Sequence, residues 1–234
     1  MRTPLTVVGG FVETLAELDE LPRDDLRRYL GLMADQTRRM QRLVDDLLTL
    51  SRLESPQNKL VEAPVNVPEL LRQLYHDATG LSQGRHEVVV TCDTDAWISG
   101  GADELASAFG NLVSNAVRYT PEGGVISLSW ALREGEPAFS VTDTGEGFEA
   151  RHIPRLTERF YRVDRGRSRA TGGTGLGLAI VKHILQRHGA HLDIQSTPGK
   201  GSTFSAVFPA GRIIEPPCRA EVAAPAEAPP ASPA

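Results

Sequence analysis

Cysteine is nearly absent. The 234 residues contain two, Cys92 and Cys218. They lie far apart and form no metal-ligand spacing, which argues against a disulfide framework or a zinc site. No apolar run approaches the ~18 residues of a membrane span, and no signal-peptide pattern opens the chain. A basic surplus is missing too: 25 Lys and Arg against 30 Asp and Glu give a net charge of -5. That balance argues against wholesale binding to nucleic acid or anionic membrane, which favour basic surfaces. The composition predicts a soluble protein of a reducing compartment, with one or two domains and ample length for a core.

The first stretch, residues 1–54, has helical periodicity. Leu5, Val8, Phe11, Leu15 and Leu18 recur at steps of three and four, which places them on one helix face. Pro22 interrupts the pattern, and Asp24 or Asp25 is the expected cap of the next helix. In that second helix Leu26, Leu30, Met33, Thr37, Met40, Val44 and Leu47 alternate steps of four and three, the seam of a bundle. A hairpin packed only on the following domain is one solution. A four-helix bundle formed by two chains covers the widened apolar stripe better, so a homodimer is expected.

Residues 55–66 read as a proline-bearing linker. Residues 67–211 mix helices and strands without strict alternation. A helix near 67–79 is followed by a strand at Glu87–Cys92, a helix from Ala102 to Val117 and strands near 125–133 and 138–142. Another helix opens near Leu176, and strands at 191–196 and 202–208 follow. The class is α+β, an antiparallel or mixed sheet with helices on one face. From Arg212 to the end, six prolines occur among seven alanines with no glycine, so 212–234 are expected to be a disordered tail.

Three segments carry chemistry. Gly172-Gly173-Thr174-Gly175-Leu176-Gly177 precedes an amphipathic helix, where glycines let backbone approach a phosphate and a helix N-terminus offers free N–H groups. It is neither a Walker A loop nor a Rossmann fingerprint, and alone such a turn more often simply opens a helix. Between Arg151 and Lys182 stand eight basic and two acidic residues, a local +6 that leaves -11 for the rest. Such a patch attracts a polyphosphate, although charge runs are usually solvated loops. Asp143-Thr144-Gly145-Glu146-Gly147 ends an apolar strand. Its aspartate suits a ligand amino group and its glycines leave room for a flat ring, but an ordinary turn is the commoner reading. Asn111, Asn115 and Arg118 share one face of a predicted helix. Amide oxygens with phosphates and water suit Mg²⁺, while paired asparagines also serve purely structural roles.

In this order the segments resemble the boxes of a two-component sensor histidine kinase core, with a pattern similar to the phosphate-regulon sensors. Asn111 to Thr120 resembles the N box and Asp143 to Gly147 the first glycine box. Glu158 to Asp164 is similar to the F box, Gly173 to Gly177 to the second glycine box, and Gly199 to Phe204 to the last. The resemblance implies a phosphoacceptor-type hairpin followed by an α/β-sandwich domain of the histidine-kinase/gyrase/Hsp90 type that binds ATP and Mg²⁺. It implies that Asp143 reads the adenine amino group, Asn115 ligates Mg²⁺, and Asn111 completes the polar face near the metal. Arg118 would contact phosphate and Tyr119 would line the pocket, while 151–174 would form a mobile lid. Gly145, Gly147, Gly173, Thr174, Gly175, Leu176 and Gly177 would border the nucleotide. Asn111, Arg118 and Thr3 are the catalytic candidates. Related hydrolytic ATPases carry a Glu at the position of Asn111, and an amide cannot replace that base.

The family's acceptor motif reads His-Glu-Leu-Arg-Thr-Pro-Leu, and this sequence supplies Met1-Arg2-Thr3-Pro4-Leu5. The expectation is a kinase core that transfers phosphoryl groups to a histidine for relay to a response-regulator aspartate, but not to itself. None of its six histidines fits the acceptor role, and structural or exposed positions are expected for all. The implied location is cytoplasmic, as the inner part of a membrane sensor. A non-catalytic module that sequesters a response regulator, or a serine-directed or hydrolytic ATPase of the same superfamily, are the alternatives.

Overall fold

The computed structural model describes residues 4–17, 22–55, 57–163 and 173–216. Helix α1 covers Pro4–Glu17 and α2 covers Arg23–Glu54. Phe11 of α1 meets Tyr29 of α2 with ring centroids 5.5 Å apart, closing the hairpin. The cap of α2 differs from expectation. Pro22, not an aspartate, holds the N-cap position; its carbonyl accepts the Leu26 N–H at 3.1 Å. Asp24 and Asp25 instead occupy the first turn, where negative charge complements the helix dipole. Within one chain, Tyr29, Met33, Met40 and Leu43 are half-buried, whereas Leu26, Leu30, Val44 and Leu47 of the heptad seam stay exposed.

Beyond α2 comes a two-layer α/β domain. Its elements are β1 (Ala63–Val65), α3 (Val67–Ser82), β2 (Glu87–Cys92), β3 (Trp97–Gly100) and α4 (Ala102–Tyr119). There follow β4 (Val125–Arg133), β5 (Glu136–Asp143), a 3₁₀ turn at Ala150–Arg155, α5 (Gly177–Arg187), β6 (His191–Thr197), β7 (Gly201–Val207) and β8 (Ile213–Ile214). The main sheet has the order β2-β4-β5-β7-β6, parallel between β2 and β4 and antiparallel elsewhere. The parallel pair needs a crossover, and the connection from β2 to β4 contains α4. Along β4, Ile126, Leu128 and Trp130 alternate inward, toward the helical layer. Phe109 of α4 stacks on Phe139 of β5 at 4.1 Å. This is the expected mixed sheet with helices on one face.

Three short strands were not anticipated. β1, β3 and β8 form a second sheet, so residues 63–65 of the expected linker and the start of the expected tail are both ordered. Arg212 clamps them by bonding Glu62 at 2.6 Å and the Ser99 carbonyl at 3.2 Å. Residues 217–234 of the tail lie outside the described residues. Leu50 and Leu53 at the end of α2 are buried in the core of this domain, against α5, so the hairpin is seated on it. No described helix is long and apolar enough to cross a membrane.

Candidate functional site

Helix α4 buries Leu105, Ala108, Phe109, Leu112, Val113, Ala116 and Val117, spaced three and four apart. That stripe fixes its rotation and leaves Asn111, Asn115 and Arg118 half-buried along its flank. Asn111 Nδ2 donates to the Ser107 carbonyl at 2.9 Å, which directs its Oδ1 the other way. A methyl added to Gly177 would lie 2.6 Å from that oxygen, so Asn111 abuts the first residue of α5. The N–H groups of this first turn have no partner within the helix and make an anion-binding end.

Arg118 donates to Asn115 Oδ1 at 3.4 Å. Its guanidinium stands beside Gly173, as do Arg162 and the Tyr119 hydroxyl: a side-chain carbon at Gly173 would meet all three between 3.4 and 3.7 Å. Arg162 Nη1 also donates to the Gly173 carbonyl at 3.0 Å. Burial holds Arg118 below its ordinary value, and Arg42 and Arg162 push in the same direction. Cations gathered under partial burial favour an incoming polyanion. Gly175, at φ +77°, lies so near Phe160 that an added carbon would touch its Cα at 3.0 Å, and its carbonyl accepts the Phe160 N–H at 2.9 Å. Residues 160 and 175 are thereby stitched together, while 164–172 of the expected lid lie outside the described residues.

At the opposite end, Asp143 is the last residue of β5 and only 6% exposed. Its Oδ1 accepts the Gly145 N–H at 2.8 Å. Burial pushes its carboxyl up, and the N–H groups of Gly145 and Ser202 pull it partly back. The neighbouring glycines have a reason internal to the chain. Carbons added at Gly145 and Gly147 would strike the carbonyl oxygens of Tyr119 and Thr197 at 2.5 and 2.1 Å. Their lack of side chains lets the loop seat against the backbone of Tyr119 and Thr197. Tyr119 spans the two ends, with its carbonyl against Gly145 and its hydroxyl near Gly173.

Leu176 is fully buried; its side chain belongs to the core, and its N–H donates to Thr174 Oγ1 at 3.3 Å. Thr3 lies outside the described residues. Among the described residues no group of three His, Cys, Asp or Glu side chains could hold a metal. Asn115 Oδ1, which accepts from Arg118 at 3.4 Å, and Asn111 Oδ1 are the amide oxygens on this face of α4. A single amide oxygen fits Mg²⁺ that is held mostly by phosphates and water. The histidines serve the fold where they are buried. His188 Nε2 accepts the Gly101 N–H at 3.0 Å, which leaves Nδ1 to donate to the Ile184 carbonyl at 2.7 Å. Burial pushes its pKa down, in keeping with a neutral ring.

Which side chains join the hairpin to this end of the site was not legible in the sequence. Thr174 Oγ1 donates to Asp46 Oδ2 of α2 at 2.6 Å, and burial pushes the Asp46 carboxyl up. Glu54 pairs with Arg159 and lies 3.2 Å from His183 Nε2. No spacing rule links residues so distant along the chain. Arg162 is different, since the basic run and the F-box resemblance both contain it.

An N-terminal helical hairpin is joined to an α/β sandwich in which a helix N-terminus meets Asn111 and the loop before it meets Arg118 and Arg162, an arrangement suited to an anionic ligand. The histidine kinase-, DNA gyrase B-, and HSP90-like ATPase family matches residues 100–212, and the His Kinase A (phospho-acceptor) domain matches residues 1–56. The chain is 48% identical over 216 residues to the phosphate regulon sensor protein PhoR of Pseudomonas aeruginosa, across 92% of this chain and 49% of that protein. It is 35% identical over 213 residues to the sensor histidine kinase WalK of Bacillus subtilis, across 89% of this chain and 35% of that one. The chain therefore spans about half or less of the length of these curated relatives. Full-length ShkA, solved in complex with AMPPNP, superposes with a TM-score of 0.67 at 28% identity over 89% of this chain and 43% of that one. ThkA, solved with the response regulator protein TrrA, gives 0.72 over 89% and 58%, and at 21% identity speaks for the fold alone. This chain belongs to the sensor histidine kinases, as a kinase core related to the phosphate-regulon sensors.

Proposed function

We propose that the chain is the cytoplasmic kinase core of a two-component sensor. It binds Mg-ATP in the α4–α5 cleft and transfers the γ-phosphoryl group to a histidine imidazole, for relay to an aspartate of a response-regulator receiver domain. The observation that carries this reading is that α4 sets Asn111 against Gly177 and Arg118 against Gly173, at the two ends of the loop leading into α5, with Arg162 bonded to the Gly173 carbonyl. Asp143 accepts a hydrogen bond from the adenine amino group. Tyr119 walls the ring and ribose, while Arg118, Arg162 and the first N–H groups of α5 take the phosphates. Asn115 Oδ1 is the protein ligand for Mg²⁺, which when bound neutralises phosphate charge. Transfer then depends on positioning and charge neutralisation: the bond to the γ-phosphorus passes from the ADP oxygen to the imidazole nitrogen. Asn111 has no basic lone pair with which to activate water, so ATP is held without rapid hydrolysis.

The exposed heptad face of α2 supports a homodimer through a four-helix bundle. These 234 residues include no histidine in the hairpin. The polypeptide is therefore expected to phosphorylate a partner hairpin and to leave itself unlabelled. Purified chain with Mg²⁺ and γ-labelled ATP should bind nucleotide while releasing phosphate only slowly. Sustained phosphate release at a steady rate would instead identify a hydrolytic ATPase.

A further inference from the structure

Asp46 projects from α2 into the phosphate end of the site, 128 residues from its partner Thr174. Thr174 lies between Gly173 and Gly175, in the loop that leads into α5. Arg118 and Arg42 act favourably on the Asp46 carboxylate, and Arg42 lies one turn before it on the same helix. A carboxylate offers the same acceptor chemistry to a hydroxyl and to guanidinium groups as a phosphate oxygen does. The Thr174 hydroxyl has one hydrogen to give, so it serves either Asp46 or a phosphate oxygen. Burial and the neighbouring Asp45 work against the charged Asp46, and the Thr174 bond and the two arginines offset part of that penalty. Glu54, two turns further along α2, anchors the same helix through Arg159 and His183 without an anion at Thr174.

We propose that Asp46 is a built-in competitor for the terminal phosphate of the nucleotide. The hairpin's carboxylate holds the anion position at Thr174 and Arg118 until a nucleoside triphosphate displaces it. Triphosphate binding and release of the C-terminal half of α2 are then two sides of one equilibrium, and the coupling is reciprocal. This inference rests on the proposed nucleotide reading of the site. A diphosphate, which lacks the displacing group, is coupled less, so Asp46 also biases the empty site toward whichever nucleotide can evict it.

Calorimetric titration of the whole chain with Mg²⁺ and a non-hydrolysable ATP analogue, and separately with Mg²⁺ and ADP, tests the idea. Asp46→Ala and Asp46→Asn should both bind the analogue about five-fold or more tightly than the unaltered chain, with ADP changing by less than about two-fold. Asp46→Asn keeps a hydrogen-bond acceptor for Thr174 and removes only the charge, which guards against a misfolded alanine variant. Glu54→Gln should shift analogue and ADP equally. Hydrogen exchange in residues 42–50 should rise when the analogue is added to the unaltered chain. Unchanged or weaker analogue binding in a folded Asp46 variant overturns the inference and leaves the nucleotide site standing. Failure of the unaltered chain to bind either nucleotide overturns the functional reading itself, and this inference with it.

Discussion

The two ends of the site are built differently. Around Asp143 the contacts are made within the sandwich: Gly145 and Gly147 press on the backbone of Tyr119 and Thr197, and β7 pairs alongside. Around Gly173 they are shared with the hairpin, because Thr174 bonds Asp46 and Arg118 feels Arg42. Packing over backbone tolerates little change, whereas side chains at a junction can exchange one partner for another. One end is a fixed socket, and the other is a junction between two units.

Substitutions can break this contrast. The largest effect is expected at Gly147, where φ is +59° and an added carbon meets the Thr197 oxygen at 2.1 Å. Gly147→Ala should cost about 3 kcal/mol in denaturant unfolding, since backbone conformation and clash both oppose it. Next is Asp143→Ala, expected to weaken ATP binding about 50-fold by calorimetry, the effect of losing one hydrogen bond to a charged acceptor. It should also lower the melting temperature, because the buried Gly145 N–H loses its acceptor. Arg118→Ala should weaken ATP about ten-fold and spare adenosine, which has no phosphate. Gly173→Ala is the smallest, below about 0.5 kcal/mol, since its nearest neighbour is the flexible end of Arg118 at 3.4 Å.

A pH series sharpens the same comparison. In the proposed site Asp143 accepts fully from adenine only when ionised, and its pKa is raised by burial. ATP affinity should hold at neutral pH and fall on acidification, beginning above the range of an ordinary aspartate. The sign for folding is the reverse. A carboxyl whose pKa is higher in the folded state binds its proton more readily there, so its contribution to stability grows as pH falls through the raised pKa and is lost as pH rises. Asp143→Asn should remove both dependences.

Much of this architecture was legible in the sequence. The heptad repeat marked α2 as one long helix; the stripe along α4 and the alternation in β4 follow from burial of one face, and the glycine loops marked where backbone had to turn. β1, β3 and β8 were not legible, because strands of two to four residues carry too little pattern to be told from loop. The α2 cap was misread because Asp24 and Asp25 fit a first turn as well as a cap, and Pro22 decides between them. The backbone neighbours that demand Gly145 and Gly147 arrive only with the tertiary fold. Asp46 was invisible for the same reason: its partner is brought to it only when the hairpin seats on α5.

Phosphoryl transfer to an imidazole is the activity proposed for this core. The most direct test incubates this chain with γ-labelled ATP, Mg²⁺ and a relative's hairpin that carries the acceptor histidine, under conditions where mixed dimers are proven. Acid-labile, base-stable label is expected on the partner hairpin and none on this polypeptide. An unlabelled partner despite proven mixing, or label on this chain itself, would contradict it.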